Sequence, residues 1–200
     1  NEYDYIDEYC RRKPVDWSAS VWDMDSLDFL MQYDLPFIKI PSAMMTNMEL
    51  VSESGKSGRP IIMSTGMSTL EEVDKAYDNL TKYTDNIVLM HTNSSYPTPK
   101  DELNLSLIPF FRERYGCVVG YSGHEHDLEP TVVAVTLGAK VIERHITLSH
   151  DMWGTDQKSS LAVHAMDILQ KRVRDVDSFL GKPEKYVTPS EVAVRKKLRG

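Results

Sequence analysis

GCVVGYSGHE (residues 116–125) and, about twenty residues on, AKVIERHI (139–146) decide the fold. Each is a short apolar run, rich in β-branched residues, that turns polar at its carboxyl end and finishes on a histidine. Neither alternates strictly between apolar and polar, which suits a strand buried on both faces, as in a parallel sheet.

Four similar runs precede them: VDWSASVW (15–22), PFIKIPS (36–42), RPIIMSTG (59–66) and NIVLMHTN (86–93). Helical patterns separate the runs, at Asp25–Tyr33, Thr46–Ser57, Ser68–Tyr83, Leu105–Tyr115 and Glu129–Gly138, and a last one follows at Ala162–Leu180. Ser68-Thr-Leu-Glu71 reads as a capping box, Pro130 stands in a tolerated first-turn position, and Gly116, Gly138 and Gly181 close helices. Strand and helix in alternation predict an α/β fold with a parallel sheet. Every strand ends in chemically capable residues: Ser18 and Ser20, Lys39 and Ser42, Ser64 and Thr65, His91 to Asn93, Ser122 and His124, Glu143 and His145. An open doubly wound sheet needs such groups chiefly at its switch point, whereas a barrel gathers every strand end around one mouth. The expectation is therefore a (β/α)8 TIM barrel, incomplete, with about six of eight units and the first two strands missing upstream.

The 200 residues carry a net charge of −7, with 41% hydrophobic and 26% charged residues, the profile of an ordinary globular chain. The acidic balance argues against nucleic acid as a partner. No apolar stretch approaches the ~20 residues of a membrane span, and two cysteines are too few for a disulfide scaffold. A cytoplasmic enzyme without a membrane partner is the expected class.

Two constellations carry chemistry. His124 and His145, on consecutive strands about 4.8 Å apart, can face one point and begin a divalent-metal site; the competing reading is two hydrogen-bonded structural histidines. Lys39, Ser42, Ser64, Thr65, Asn93 and Ser122 supply one cation and several neutral donors, a set suited to phosphate or carboxylate. Gly66 and Gly120 would let backbone approach such a ligand. Lys39, between Ile38 and Ile40, either enters the mouth or is buried at a cost; it could equally serve as a Schiff-base nucleophile. In WGTDQKSS (153–160), Asp156 is either a sugar ligand or part of a solvated loop.

Six motifs in order together resemble the N-acetylneuraminate (sialic acid) synthase family, which includes legionaminic and pseudaminic acid synthases. KIPSAMMTN is similar to the family's "KIgSgeltn", IIMSTGMSTLEEV to "iilSTGm…ei" and MHTNSSYPTP…NL to "LhCts-YPtp…NL". GYSGHE is similar to "GYSDHt", GAKVIERHITL to "GA-viEkHftl" and GTDQKSSL to "GpDHkaSl". The resemblance implies condensation of phosphoenolpyruvate with an N-acetylated hexosamine, N-acetylmannosamine or a relative, to a nonulosonic acid with release of phosphate. Residue by residue, it implies that Ser20, Lys39, Ser42, Ser64, Asn93 and Ser122 hold phosphoenolpyruvate. His124 and His145 would bind Mn2+ or Mg2+, and Tyr96 and Asp156 would contact the amino sugar. A Schiff-base pyruvate aldolase and a non-catalytic sugar-phosphate-binding barrel are the alternatives.

Three positions depart from the family pattern: Met44 for a glutamate, Gly123 for an aspartate and Gln157 for a histidine. The resemblance further implies a homodimer, a barrel domain over residues 1–182, and, at 183–200, the start of a linker to a C-terminal antifreeze-like domain. Six parallel strands alone leave two edges open, so this piece is expected to be inactive in isolation.

Overall fold

A computed structural model describes residues 1–200. Five parallel strands form one sheet in chain order: β1 (Ile38–Ile40), β2 (Ile61–Ser64), β3 (Ile87–Thr92), β4 (Val118–Gly123) and β5 (Val141–Arg144). The helices are α1 (Glu2–Arg12), α2 (Met24–Leu30), α3 (Met48–Lys56), α4 (Leu70–Leu80), α5 (Leu107–Tyr115), α6 (Glu129–Thr136), α7 (Val163–Leu180) and α8 (Pro189–Arg199). A small parallel pair, β6 (Ile146–Thr147) and β7 (Leu161–Ala162), follows the main sheet. No helix is long and apolar enough to cross a membrane.

The pairing register divides the sheet into two faces. Ile38, Ile40, Ile61, Met63, Ile87 and Leu89 belong to one core cluster with Leu50, Val51, Val73, Ala76 and Leu80 of the flanking helices. Side chains alternate along a strand, so Lys39, Ile62, Ser64, Met90, Thr92, Ser122 and Glu143 take the opposite face. The sheet is strongly curled. Laid flat, β1 and β5 would lie about 19 Å apart, four spacings of ~4.8 Å. Yet Lys39 Nζ on β1 lies 3.5 Å from Glu143 Oε2 on β5. The sheet is half of a barrel, and its concave face carries the polar strand ends.

Several local readings differ from expectation. Residues 15–22 do not form a strand; their only ladder contact is a parallel bridge from Ser20 to Lys39. The segment instead packs by side chains, with Trp17 against Tyr3 and Tyr33 and its indole N–H bonded to Asp7. The capping box at α4 sits one residue later than predicted. Thr69 caps the Glu72 amide, and Glu72 accepts from the Thr69 N–H at 2.8 Å. The Ser68 hydroxyl donates to the Gly66 carbonyl and caps nothing. Residues 189–199 form α8, which buries no side chain.

Gly120 fixes the curl at its centre. A Cβ there would lie 2.2 Å from Met90 Sδ and 2.6 Å from the Val141 carbonyl oxygen. The missing side chain makes room for Met90 beside it. Gly120→Ala should cost about 1–3 kcal/mol, because the Val141 carbonyl is ladder backbone and cannot yield cheaply. The urea midpoint measures this; a midpoint equal to that of the parent protein would show that the strands are not held this close.

Candidate active site

Lys39, Ser64, Ser122 and Glu143 meet on the concave face. The Lys39 ammonium donates to Ser64 Oγ at 2.8 Å, and the Ser122 hydroxyl donates to Glu143 Oε1 at 2.8 Å. Glu143 Oε2 completes the chain with Lys39. Burial pushes the Lys39 pKa down, and the charge and hydrogen bond of Glu143 push it back up. The Lys39 side chain is 10% exposed and that of Glu143 43%, so the cation is anchored while the carboxylate keeps access to water. The amine, two hydroxyls and carboxylate thus form a polar cradle able to exchange its internal partners for an anionic ligand.

One layer further out, His124 and His145 face each other with ring centroids 5.2 Å apart. The sequence brings them here by placing His124 directly after β4 and His145 directly after β5. His124 Nδ1 lies 2.6 Å from the Asn93 carbonyl oxygen, so Nδ1–H donates and the Nε2 lone pair is free. Burial pushes the His124 pKa down, which keeps the imidazole neutral, the form a metal ligand requires. Tyr96 stacks against His124 at 4.1 Å and meets His145 edge-on at 5.6 Å. Asp156 Oδ2 is 3.8 Å from His145 Nδ1. No three His, Cys, Asp or Glu side chains converge into a metal-binding group. His124 and His145 are the side chains that could offer ring nitrogens to one divalent ion, with oxygens of water or substrate filling its other positions.

The remaining expected residues are placed as follows. Ser42 Oγ accepts the Gly66 N–H at 3.0 Å, fixing the turn after β2. Ser20 pairs by backbone with Lys39 on the sheet edge. Thr65 turns its hydroxyl to the Met90 carbonyl, away from the cradle. The Asn93 side chain serves its own loop, accepting from the Ser95 N–H and donating to the Glu102 carbonyl. It lines a cavity of about 910 Å3 between α4 and α5, outside the sheet. What Asn93 brings to the histidines is its carbonyl. His91 is structural: it is buried, and its Nε2–H donates to the Leu103 carbonyl at 2.8 Å.

A buried network behind the histidines escaped the sequence reading. Arg144 Nη1 pairs with Glu125 Oε1 at 2.9 Å, and the two side chains are 1% and 2% exposed. Arg144 also donates to Thr131 Oγ1 at 2.8 Å and to the Glu125 and Asp127 carbonyls. Tyr121 donates to Glu125 Oε2 at 2.8 Å. The signal was present as an acid directly after one histidine and a base directly before the other, but charged residues at strand ends ordinarily read as solvated.

A family model for the NeuB family matches residues 1–185. The chain belongs to the NeuB family. It is 32% identical over 199 residues to the N-acetylneuraminate-9-phosphate synthase of Homo sapiens, covering 99% of this chain and 55% of that one. It is 33% identical over 186 residues to the N,N'-diacetyllegionaminic acid synthase of Campylobacter jejuni, with 92% and 56% covered. Among solved structures, a sialic acid synthetase from Leptospira borgpetersenii in complex with citrate superposes with a TM-score of 0.89 at 27% identity, over 99% of this chain and 70% of that one. A DAHP synthase from Thermotoga maritima, 18% identical with a TM-score of 0.78, shares the fold. This NeuB-family chain spans about half the length of the curated relatives it matches.

In this NeuB-family site the Lys39–Glu143 contact is directly testable. Glu143→Gln removes the main influence that raises the Lys39 pKa and leaves burial unopposed, so Lys39 should lose its proton at lower pH, as followed through its Cε resonance. Between that lowered pKa and the ordinary lysine value of 10.5, the unfolded chain binds more protons than the folded one. Stability should therefore rise with pH across that window, and the window should be wider in the variant. A Lys39 titration unchanged by the substitution would show that the two groups do not interact.

Proposed function

We propose that the protein is the barrel portion of a synthase that condenses phosphoenolpyruvate with an N-acetylated hexosamine, giving a nonulosonic acid and free phosphate. One observation carries the reading: the Lys39–Ser64–Ser122 cradle and the paired imidazoles of His124 and His145 open onto the same concave rim. Family membership and the synthase relatives support it.

The cradle is the anion end. Lys39, already buried and aimed by Ser64, supplies a fixed positive charge, and Ser42, Ser64 and Ser122 supply hydroxyl donors for phosphate and carboxylate oxygens. Ser20 and Asn93 sit at the margins of this end. The histidines are the metal end, with His124 and His145 as the protein ligands of Mn2+ or Mg2+. Such an ion, when bound, acts as a Lewis acid on the aldehyde oxygen of the open-chain sugar. Tyr96 and Asp156 border the imidazoles and would orient the sugar. C3 of phosphoenolpyruvate then forms a bond to the aldehyde carbon, whose oxygen gains a proton. Positive charge develops at C2, water adds there, and the tetrahedral product loses phosphate to leave the keto acid. Through these steps Lys39 holds the phosphate in place and balances its charge as it departs.

A burial-depressed lysine is also what a Schiff-base aldolase requires, and one experiment separates the two readings. In the full-length protein, phosphate release should need phosphoenolpyruvate, an N-acetylhexosamine and Mn2+ together. It should fall about 100-fold or more in His145→Ala, while borohydride with pyruvate leaves Lys39 unlabelled. Activity that survives both a chelator and the substitution would overturn the synthase reading, and a borohydride-trapped Lys39 would replace it with the aldolase. Ligand binding with no turnover at all would make the barrel a sensor.

A further inference from the structure

We infer that Glu125 and Arg144 are positioning residues whose buried ion pair sets the spacing of His124 and His145. The inference rests on the metal-site reading above and adds to it a device in the outer wall of the barrel.

The chain order is the first observation. Glu125 immediately follows His124, and Arg144 immediately precedes His145. A bond between the two acid–base neighbours is therefore a clamp one residue away from both imidazoles. Second, the clamp is dry and many-stranded. Both side chains are essentially unexposed, Glu125 is held by Arg144 and Tyr121, and Arg144 by Glu125, the Glu125 and Asp127 carbonyls, and Thr131 of α6. Third, the clamp lies where spacing is otherwise weakly fixed. β5 is the last strand of the main sheet, and none of its residues is fully buried. The His145 backbone is tied on its far side only to the short β6–β7 pair, through the Leu161 amide.

Two imidazoles that are to share one ion must hold their nitrogens at a set spacing, because metal–ligand distances tolerate only a few tenths of an ångström. A carboxylate–guanidinium pair has the directional stiffness to meet that demand at a final strand that is only partly buried. Gly123 shows that the space is reserved for the clamp. A Cβ at 123 would lie 2.7 Å from Glu125 Oε2 and 2.9 Å from Oε1. The glycine at 123 leaves that space to the Glu125 carboxylate.

The test is Mn2+ titration of the full-length protein, read by the loss of the free-ion paramagnetic resonance signal, beside a thermal melt. Glu125→Gln keeps the shape and removes the charge. It should weaken Mn2+ binding about 10- to 100-fold, the range typical of groups that orient metal ligands, and raise the KM for the amino sugar while leaving the KM for phosphoenolpyruvate within twofold. Leu80→Ala, a core substitution at the far end of α4, should lower the melting temperature and leave Mn2+ affinity unchanged. If Glu125→Gln does not fold, Tyr121→Phe decides, since it removes only the bond to Oε2; a loss of Mn2+ affinity of threefold or more supports the clamp. A folded variant that binds Mn2+ as the parent does would overturn the inference and leave the pair a structural one. A parent protein that binds no Mn2+ would overturn the metal reading itself, and the clamp with it.

Discussion

Register between parallel neighbours is the constraint on which the site depends. Because successive side chains on a strand point to opposite faces, the pairing of Ser64 with Met90, Thr92 with Ser122 and Ser122 with Glu143 assigns each polar group to the concave side. A slip of one residue on β1 would turn Lys39 into the helix-covered layer, where Ile38 and Ile40 now sit fully buried, and would turn an isoleucine into the mouth. The apolar outer layer therefore does more than hold the helices. Its burial penalises every wrong register, and the chemistry on the inner face inherits that precision.

The sequence made the strand order and inner-face residues legible because both follow from periodicity. β1 to β5 lie where apolar runs placed them, and helix ends at Gly116 and Gly181 follow local rules. What it concealed was set by tertiary packing. Residues 15–22 have strand composition, but Trp17 and Ala19 are drawn into the aromatic and apolar packing around Tyr33, and the segment meets the sheet at one bridge, Ser20 beside Lys39, where the Val21 N–H donates to the Lys39 carbonyl. Asn93 could not be oriented from its type: an amide at a strand end can serve a ligand or its own loop, and here the Ser95 N–H claims it. Glu125 and Arg144 were invisible because a buried pair is defined by its partner, and the partners stand nineteen residues apart.

The three departures from the family pattern leave no gap in this molecule. Met44 packs against the main core cluster. The space beside Gly123 is taken by the Glu125 carboxylate. Gln157 accepts from the Thr147 hydroxyl and donates to the Trp153 carbonyl, which ties down the loop after β6. Each exchange trades a titratable group for a packed or neutral one. Lys39, Ser64 and Ser122 stand on strands, while Met44 and Gln157 lie on the connections after β1 and β6. Side chains on strands are placed more tightly than side chains on loops, so two of the three departures fall where the backbone constrains a side chain least.

A carboxylate inside an anion cradle looks self-defeating until the desolvation cost of Lys39 is considered. An ammonium in apolar surroundings without a counter-charge gives up its proton more readily, and a neutral amine offers an anion only ordinary hydrogen bonds without the charge. Glu143 keeps the charge on Lys39, and it does so from a side chain that is 43% exposed. A ligand oxygen approaching Lys39 can displace that carboxylate toward water at small cost, because half-exposed ion pairs are weak. Ser122 holds the other oxygen of Glu143, so the displaced group has a fixed pivot. The Lys39 charge is thereby held by a counter-ion that an anion could exchange, which is the property the proposed function asks of it.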